Sequence, residues 1–217
     1  MAHIHLEDGS FYLQWVIIWT IIALIILGIC VFWLRNVRKM DSKTITLAAL
    51  CTAATFAVFQ IEIPVFGGVH LSLTPLVGIL VGPAVGGIIV LIVNIFSAAI
   101  GHEGWGIIGA NSIVNMVEVV SAFFIYTWMA RNLKIKALYA AGIATFTGLF
   151  LGNAVMIGII MISGIQGKDV VLGELSLVAA ANIVMAIIEA FVTAYIVAYI
   201  QKVRPDMLSI KTLHNKK

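Results

Sequence analysis

From Leu71 to Ile100 the chain carries no charged side chain. One continuous helix of that length would outrun a bilayer, whose hydrocarbon core is about 30 Å thick and is crossed by roughly 20 residues at about 1.5 Å each. The run is interrupted at Gly82-Pro83. Proline lacks the amide that an inner helical turn requires, but it suits the first turn of a new helix. The sequence therefore predicts two helices here, a short one over 73–81 and a full one over 83–100. Five more apolar segments predict helices over 11–34, 44–61, 109–130, 137–162 and 173–200.

With 62% hydrophobic and 11% charged residues and a mean hydropathy of +1.10, the chain belongs in a bilayer; soluble domains are about half apolar and a quarter charged. The expected class is all-α: a polytopic membrane protein with seven transmembrane helices, one of them short, built as a single transmembrane domain over residues 1–217. The short alternating segments of a β-barrel are missing. The first apolar segment follows acidic rather than basic residues and shows no small-residue cleavage signal, so it reads as a retained helix. Cys30 and Cys51 sit inside apolar segments and read as small packing residues.

Charge supports the split at Gly82-Pro83. With seven helices, every Lys and Arg except Lys168 falls on one face. If 71–100 were one helix, the Arg131–Lys136 cluster and the basic tail would be parted. The positive-inside rule thus favours seven spans, with the amino terminus outside, a cytoplasmic tail over 201–217, and placement in the plasma or inner cell membrane. The same topology puts His3, His5, His70 and His102 on the outer face with Glu7, Asp8, Glu62 and Glu103, and only His214 inside. Acids at that mouth draw in cations. A helix over 73–81 is too short to cross, so the loop before it, through Phe66 to His70, must dip into protein and line an outward-facing cavity.

Residues 1–10 form a candidate extracellular metal-binding segment. A terminal amine, backbone amides and an imidazole on adjacent residues close small, nearly coplanar chelate rings, which suit Ni(II) and Cu(II). If Met1 is retained, His3 is the third residue, and amine, two amides and imidazole fill four positions. If Met1 is removed, Ala2 supplies the amine, three positions are filled locally, and His70 is the candidate fourth ligand. His5 is a weaker ligand or a neighbour of the site. His102-Glu103 starts like a zinc-protease helix, but Gly106 stands where the second His is required. His102 therefore reads as a structural loop residue or a capture point on the ion's path. Asn111 and Asn115 either orient the loop through outer hydrogen bonds or join helices.

Glu118 and Glu189 fall inside helices, where an ionisable group is a functional candidate by default. The plainer reading pairs them with helix neighbours such as Asn115 and Asn182. Ala49 and Ala53 form a small-xxx-small face, for close approach of another helix or for internal packing. Gly167-Lys168 is followed by Asp169, so the chain lacks a phosphate-binding loop of that type. No intrinsic cofactor and no nucleic-acid partner are expected.

The segment His3-Ile4 with Asp8-Gly9, the loop Ile63-Pro64-Val65-Phe66-Gly67-Gly68-Val69-His70-Leu71, the turn Leu80-Val81-Gly82-Pro83, and Gly109-Ala110-Asn111-Ser112-Ile113-Val114-Asn115-Met116 occur in one order. Together they resemble the NikM/CbiM family, the substrate-binding membrane subunit of energy-coupling-factor nickel/cobalt importers, through the first five helices and more loosely in the last two. The resemblance implies a planar site for transported Ni(II) or Co(II), made by the terminal amine, the amide and imidazole of His3, and His70. It implies that the Ala49/Ala53 face meets a transmembrane coupling subunit driven by two ATPase subunits, usually with a small accessory membrane subunit. The family begins Met-His, whereas this chain begins Met-Ala-His. The alternatives are a vitamin-binding subunit of the same importer class and a membrane enzyme, the latter disfavoured because no nucleophile–base set is complete.

Overall fold

The computed structural model describes residues 8–37, 40–63, 69–166 and 172–208. Seven helices follow in order: α1 (Leu13–Asn36), α2 (Ser42–Phe59), α3 (Thr74–Val81), α4 (Pro83–Ala99), α5 (Ile108–Arg131), α6 (Ala137–Ser163) and α7 (Leu172–Val203). Each covers its predicted segment to within a few residues. One feature was not expected: a two-residue antiparallel ladder, β1 (Glu62–Ile63) on β2 (Val69–His70), with Glu62 opposite His70. It closes the loop before α3 into a hairpin.

Among the described residues, five helices are long and apolar enough to cross a membrane. The eight residues of α3 give a rise of only about 12 Å, and all eight are buried. The break after α3 is made by Gly82, at φ 85° and ψ 172°, a backbone region open only to glycine. Its amide donates to the Gly78 carbonyl, closing α3, and its carbonyl accepts from the Gly86 amide, opening α4. One residue ends the first helix and begins the second, as the Gly-Pro pair predicts.

The central element is α5, which packs against α1, α3, α4 and α6. Two contacts are close enough to require glycine. A Cβ on Gly78 would overlap the backbone carbonyl oxygen of Val119, and one on Gly109 would stand 2.6 Å from the Thr20 backbone nitrogen. Backbones thus approach directly where α3 and α1 cross α5, as small residues allow between membrane helices. By contrast α1 buries only Ala23, Cys30 and Leu34. Its exposed Ile17, Ile21, Leu24, Ile25, Ile29 and Phe32 form the surface that hydrocarbon covers. Cys30 and Cys51 are both buried and unbridged, in keeping with a packing role.

Basic residues occupy the last turns of α1, α5 and α7 (Arg35, Arg131 and Lys202), and α2, α4 and α6 have none there. That alternation is the charge asymmetry expected when α1, α5 and α7 end on the cytoplasmic side. At this end Asp41 caps α2, its Oδ1 accepting from the Thr44 amide at 2.9 Å. Hydrogen bonding from Thr44 holds the Asp41 carboxyl below its ordinary range. A depressed carboxylate pKa stabilises the fold above the unfolded value, near 4, and that contribution is lost as pH falls through the folded value. The protection factor of the Thr44 amide is therefore expected to fall below about pH 4, and Asp41→Ala is expected to lower it already at neutral pH.

Candidate metal centre

His70 ends the short ladder and is 1% exposed. Its imidazole packs on the Phe59 ring, with centroids 4.3 Å apart, and lies 5.6 Å from the ring of His102. Phe59 and His102 are 5.7 Å apart and close the triangle. The end of α2, the hairpin and the loop between α4 and α5 thus bring two imidazoles together against one buried phenyl ring. The phenyl ring, tilted against both imidazoles, excludes water from one side of the pair. Glu103, next to His102, is also buried. The outer-face grouping read from charge therefore brings His70 and His102 into one cluster.

The asparagines sit nearby in sequence terms but are occupied between helices. Asn115 Nδ2 donates to Asn94 Oδ1 at 3.1 Å, and Asn94 Nδ2 donates to Ser112 Oγ at 3.0 Å. These bonds join α4 to α5, the helix-to-helix role. Asn111 is fully buried on the same helix.

The turn after His70 is held by groups the sequence did not pair. Leu73 has φ 57° and ψ 10°, a left-handed conformation that costs a residue with a Cβ of order 1–2 kcal/mol. Glu189, from the middle of α7, accepts hydrogen bonds from the amides of Ser72 and Leu73 and from the Ser72 hydroxyl, each at 2.9 Å. Ser72 Oγ and Thr74 Oγ1 are 2.9 Å apart, and Thr74 Oγ1 donates to Glu118 on α5. For Glu189 this corrects the expected pairing with Asn182, whose amide instead donates to Asn153 Oδ1 at 3.2 Å. An isolated carboxylate in a membrane helix is costly, and here it is met by two backbone amides that the irregular turn leaves outside any helix. The signal available from sequence was the acid itself; its partner lies more than a hundred residues away.

Met1, Ala2, His3 and His5 lie outside the described residues. The chain just after them is tied down twice. Asp8 Oδ1 accepts from the Gly106 amide at 2.9 Å, and the Ser10 carbonyl accepts from the Gln166 amide at 2.7 Å. Phe11, 3% exposed, packs with Ile107, Ala110, Val114, Met156 and Ile159. Gly106 belongs to the same loop as His102. Among the described residues, no three His, Cys, Asp or Glu side chains lie together as a metal site would require. Ala49 and Ala53 are both exposed on α2, so they do not serve packing within this chain.

These features define a class: a multi-pass helical membrane protein in which a buried loop imidazole stands at the outer mouth. The model of the family described as "CbiM: Cobalt uptake substrate-specific transmembrane region" matches residues 5–207, and the chain belongs to that family. It is a transmembrane component of cobalt or transition-metal uptake in the cell membrane. A Methanococcus voltae protein named for cobalt transport as CbiM is 25% identical, covering 94% of this chain and 93% of the relative. A Haemophilus influenzae protein named for metal transport is also 25% identical, covering 94% and 97%. A crystal structure described as a transition metal transporter has the same fold, with a TM-score of 0.78 at 20% identity over 98% of each chain.

Proposed function

We propose that this chain is the ion-capturing subunit of an energy-coupling-factor importer, taking Ni(II) or Co(II) as substrate in a planar set of nitrogens. The set comprises the terminal amine, the amide and imidazole of His3, and the imidazole of His70. The observation that carries the proposal is the Asp8–Gly106 hydrogen bond. It fixes the amino-terminal segment to the loop whose His102 ring packs on His70. Asp8 is five positions on from His3, a reach of up to about 17 Å, and Gly106 is four on from His102. The described residues supply imidazole but no complete ligand group, so the terminus is the natural source of the rest.

Nitrogen ligands favour Ni(II) and Co(II) over hard ions such as Mg(II), which prefer oxygen and keep their water. The planar geometry favours nickel of the two. The ligating nitrogens must be deprotonated, so binding weakens in acid. Release against so tight a chelate calls for external work. The exposed Ala49/Ala53 face is the proposed seat of the coupling subunit, driven by two ATPase subunits, with a small accessory membrane subunit alongside.

Calorimetric titration of the purified protein with Ni(II) and Co(II), beside His3→Ala, tests the reading. One ion is expected per chain, with binding lost in His3→Ala. Ni(II) binding unchanged in that variant would reject the terminal metal site, and no metal binding by the unaltered protein would favour a vitamin ligand. Mass spectrometry of the amino terminus settles the ligand count: with Met1 retained, four nitrogens are local and His70 is not needed.

A further inference from the structure

The turn that follows His70 is left-handed at a leucine. Its compensation comes from α7. Glu189 takes both amides of the turn and the Ser72 hydroxyl. Through the Ser72–Thr74 hydroxyl contact the same turn reaches Glu118 on α5. A carboxylate that accepts three bonds from two adjacent residues leaves that segment little rotational freedom. Ser72 is two peptide units from His70, so the direction of the imidazole follows from the orientation of this turn.

We propose that Glu189 is a positioning residue for His70: by clamping Ser72 and Leu73 from α7 it holds the imidazole in its binding orientation without touching the ion. The inference rests on His70 being a ligand. It assigns to the seventh helix, remote in sequence from every candidate ligand, a direct hold on the metal loop. Outer groups that orient a ligand typically contribute about 10–100-fold in metal affinity. Glu189→Gln loses an acceptor oxygen and, in either orientation, turns an amide NH2 toward one of the two backbone N–H groups, which cannot accept from it, so half of the clamp opens with little change in volume.

In protein whose Met1 has been removed, the experiment compares Glu189→Gln, Asn182→Ala and His70→Ala with the unaltered protein, using Ni(II) titration and amide hydrogen exchange of the metal-free form. Asn182→Ala removes a buried bond of the same helix, to Asn153, without touching the turn. Glu189→Gln is expected to raise Kd about 10–100-fold at unchanged stoichiometry and to speed exchange at Ser72 and Leu73. Asn182→Ala is expected to lower thermal stability with Kd unchanged. The proposal is overturned if Glu189→Gln keeps the original Kd, or if it loses sites at constant Kd as a partly unfolded protein would. If His70→Ala binds nickel normally, the ligand assignment fails, and the exchange result still reports whether the clamp exists.

Discussion

Replacing His70 with alanine is expected to raise the Kd for Ni(II) by more than about 100-fold in protein whose Met1 has been removed. The lower bound follows from chemistry: outer partners alone shift affinity about 10–100-fold, and removing a ligand exceeds that. The site offers no obvious substitute. His102 is 5.6 Å away by ring centroid, but it sits on a different loop with its ring against Phe59, so taking over would require that loop to move. The void left beside Phe59 costs some stability, so retention on size exclusion and thermal melting should accompany the titration. Well-folded His70→Ala protein that still binds one Ni(II) tightly would remove His70 from the site. It would point to a chelate made wholly by the terminus.

The largest effect on folding is expected at Gly78. Its Cα faces the Val119 backbone, and an added Cβ would overlap that carbonyl oxygen, with the carbonyl carbon and Cα only 3.0 and 3.1 Å away. The obstacle is main chain within a helix, which cannot rotate aside as a side chain would. Overpacking typically costs about 1–3 kcal/mol and sometimes more. Gly78→Ala is expected at the upper end of that range and Gly78→Val beyond it, seen as lost thermal stability and lost yield of dispersed protein. Gly158 is the control, since a Cβ there meets nothing within 4 Å. If Gly78→Ala melts like Gly158→Ala, the close approach of α3 to α5 is not present in solution.

The helices were legible because hydrocarbon imposes a simple rule on composition and length, and the two ends of the chain differ in charge. Gly82-Pro83 announced the break between α3 and α4 by its chemistry, and the structure puts the break there. The hairpin of β1 and β2 was not legible: two residue pairs leave no periodic trace. At the site, topology put His70 and His102 on one face with His3 and His5, but their packing on Phe59 was not read from sequence. Nor was the embrace of Ser72 and Leu73 by Glu189. A buried acid reads as costly from sequence alone, but the donors that satisfy it are backbone amides, which every residue except proline possesses. Nothing in side-chain identity marks which amides an irregular turn will leave available. Ala49 and Ala53 were ambiguous for another reason: a small-residue stripe looks the same whether it meets its own chain, lipid or another chain, and exposure removes only the first.

The first helix has a consequence for the environment in which binding is measured. Its 24 residues extend about 36 Å, more than the roughly 30 Å of an average hydrocarbon layer, and it buries little surface against its neighbours. A span longer than the layer tilts to fit. The pivot is the crossing at Gly109 and Thr20, and the outer arm beyond it carries Asp8 and the amino terminus. Membrane thickness therefore acts as a load on the Asp8–Gly106 hydrogen bond, making lipid chain length a physical variable of that contact.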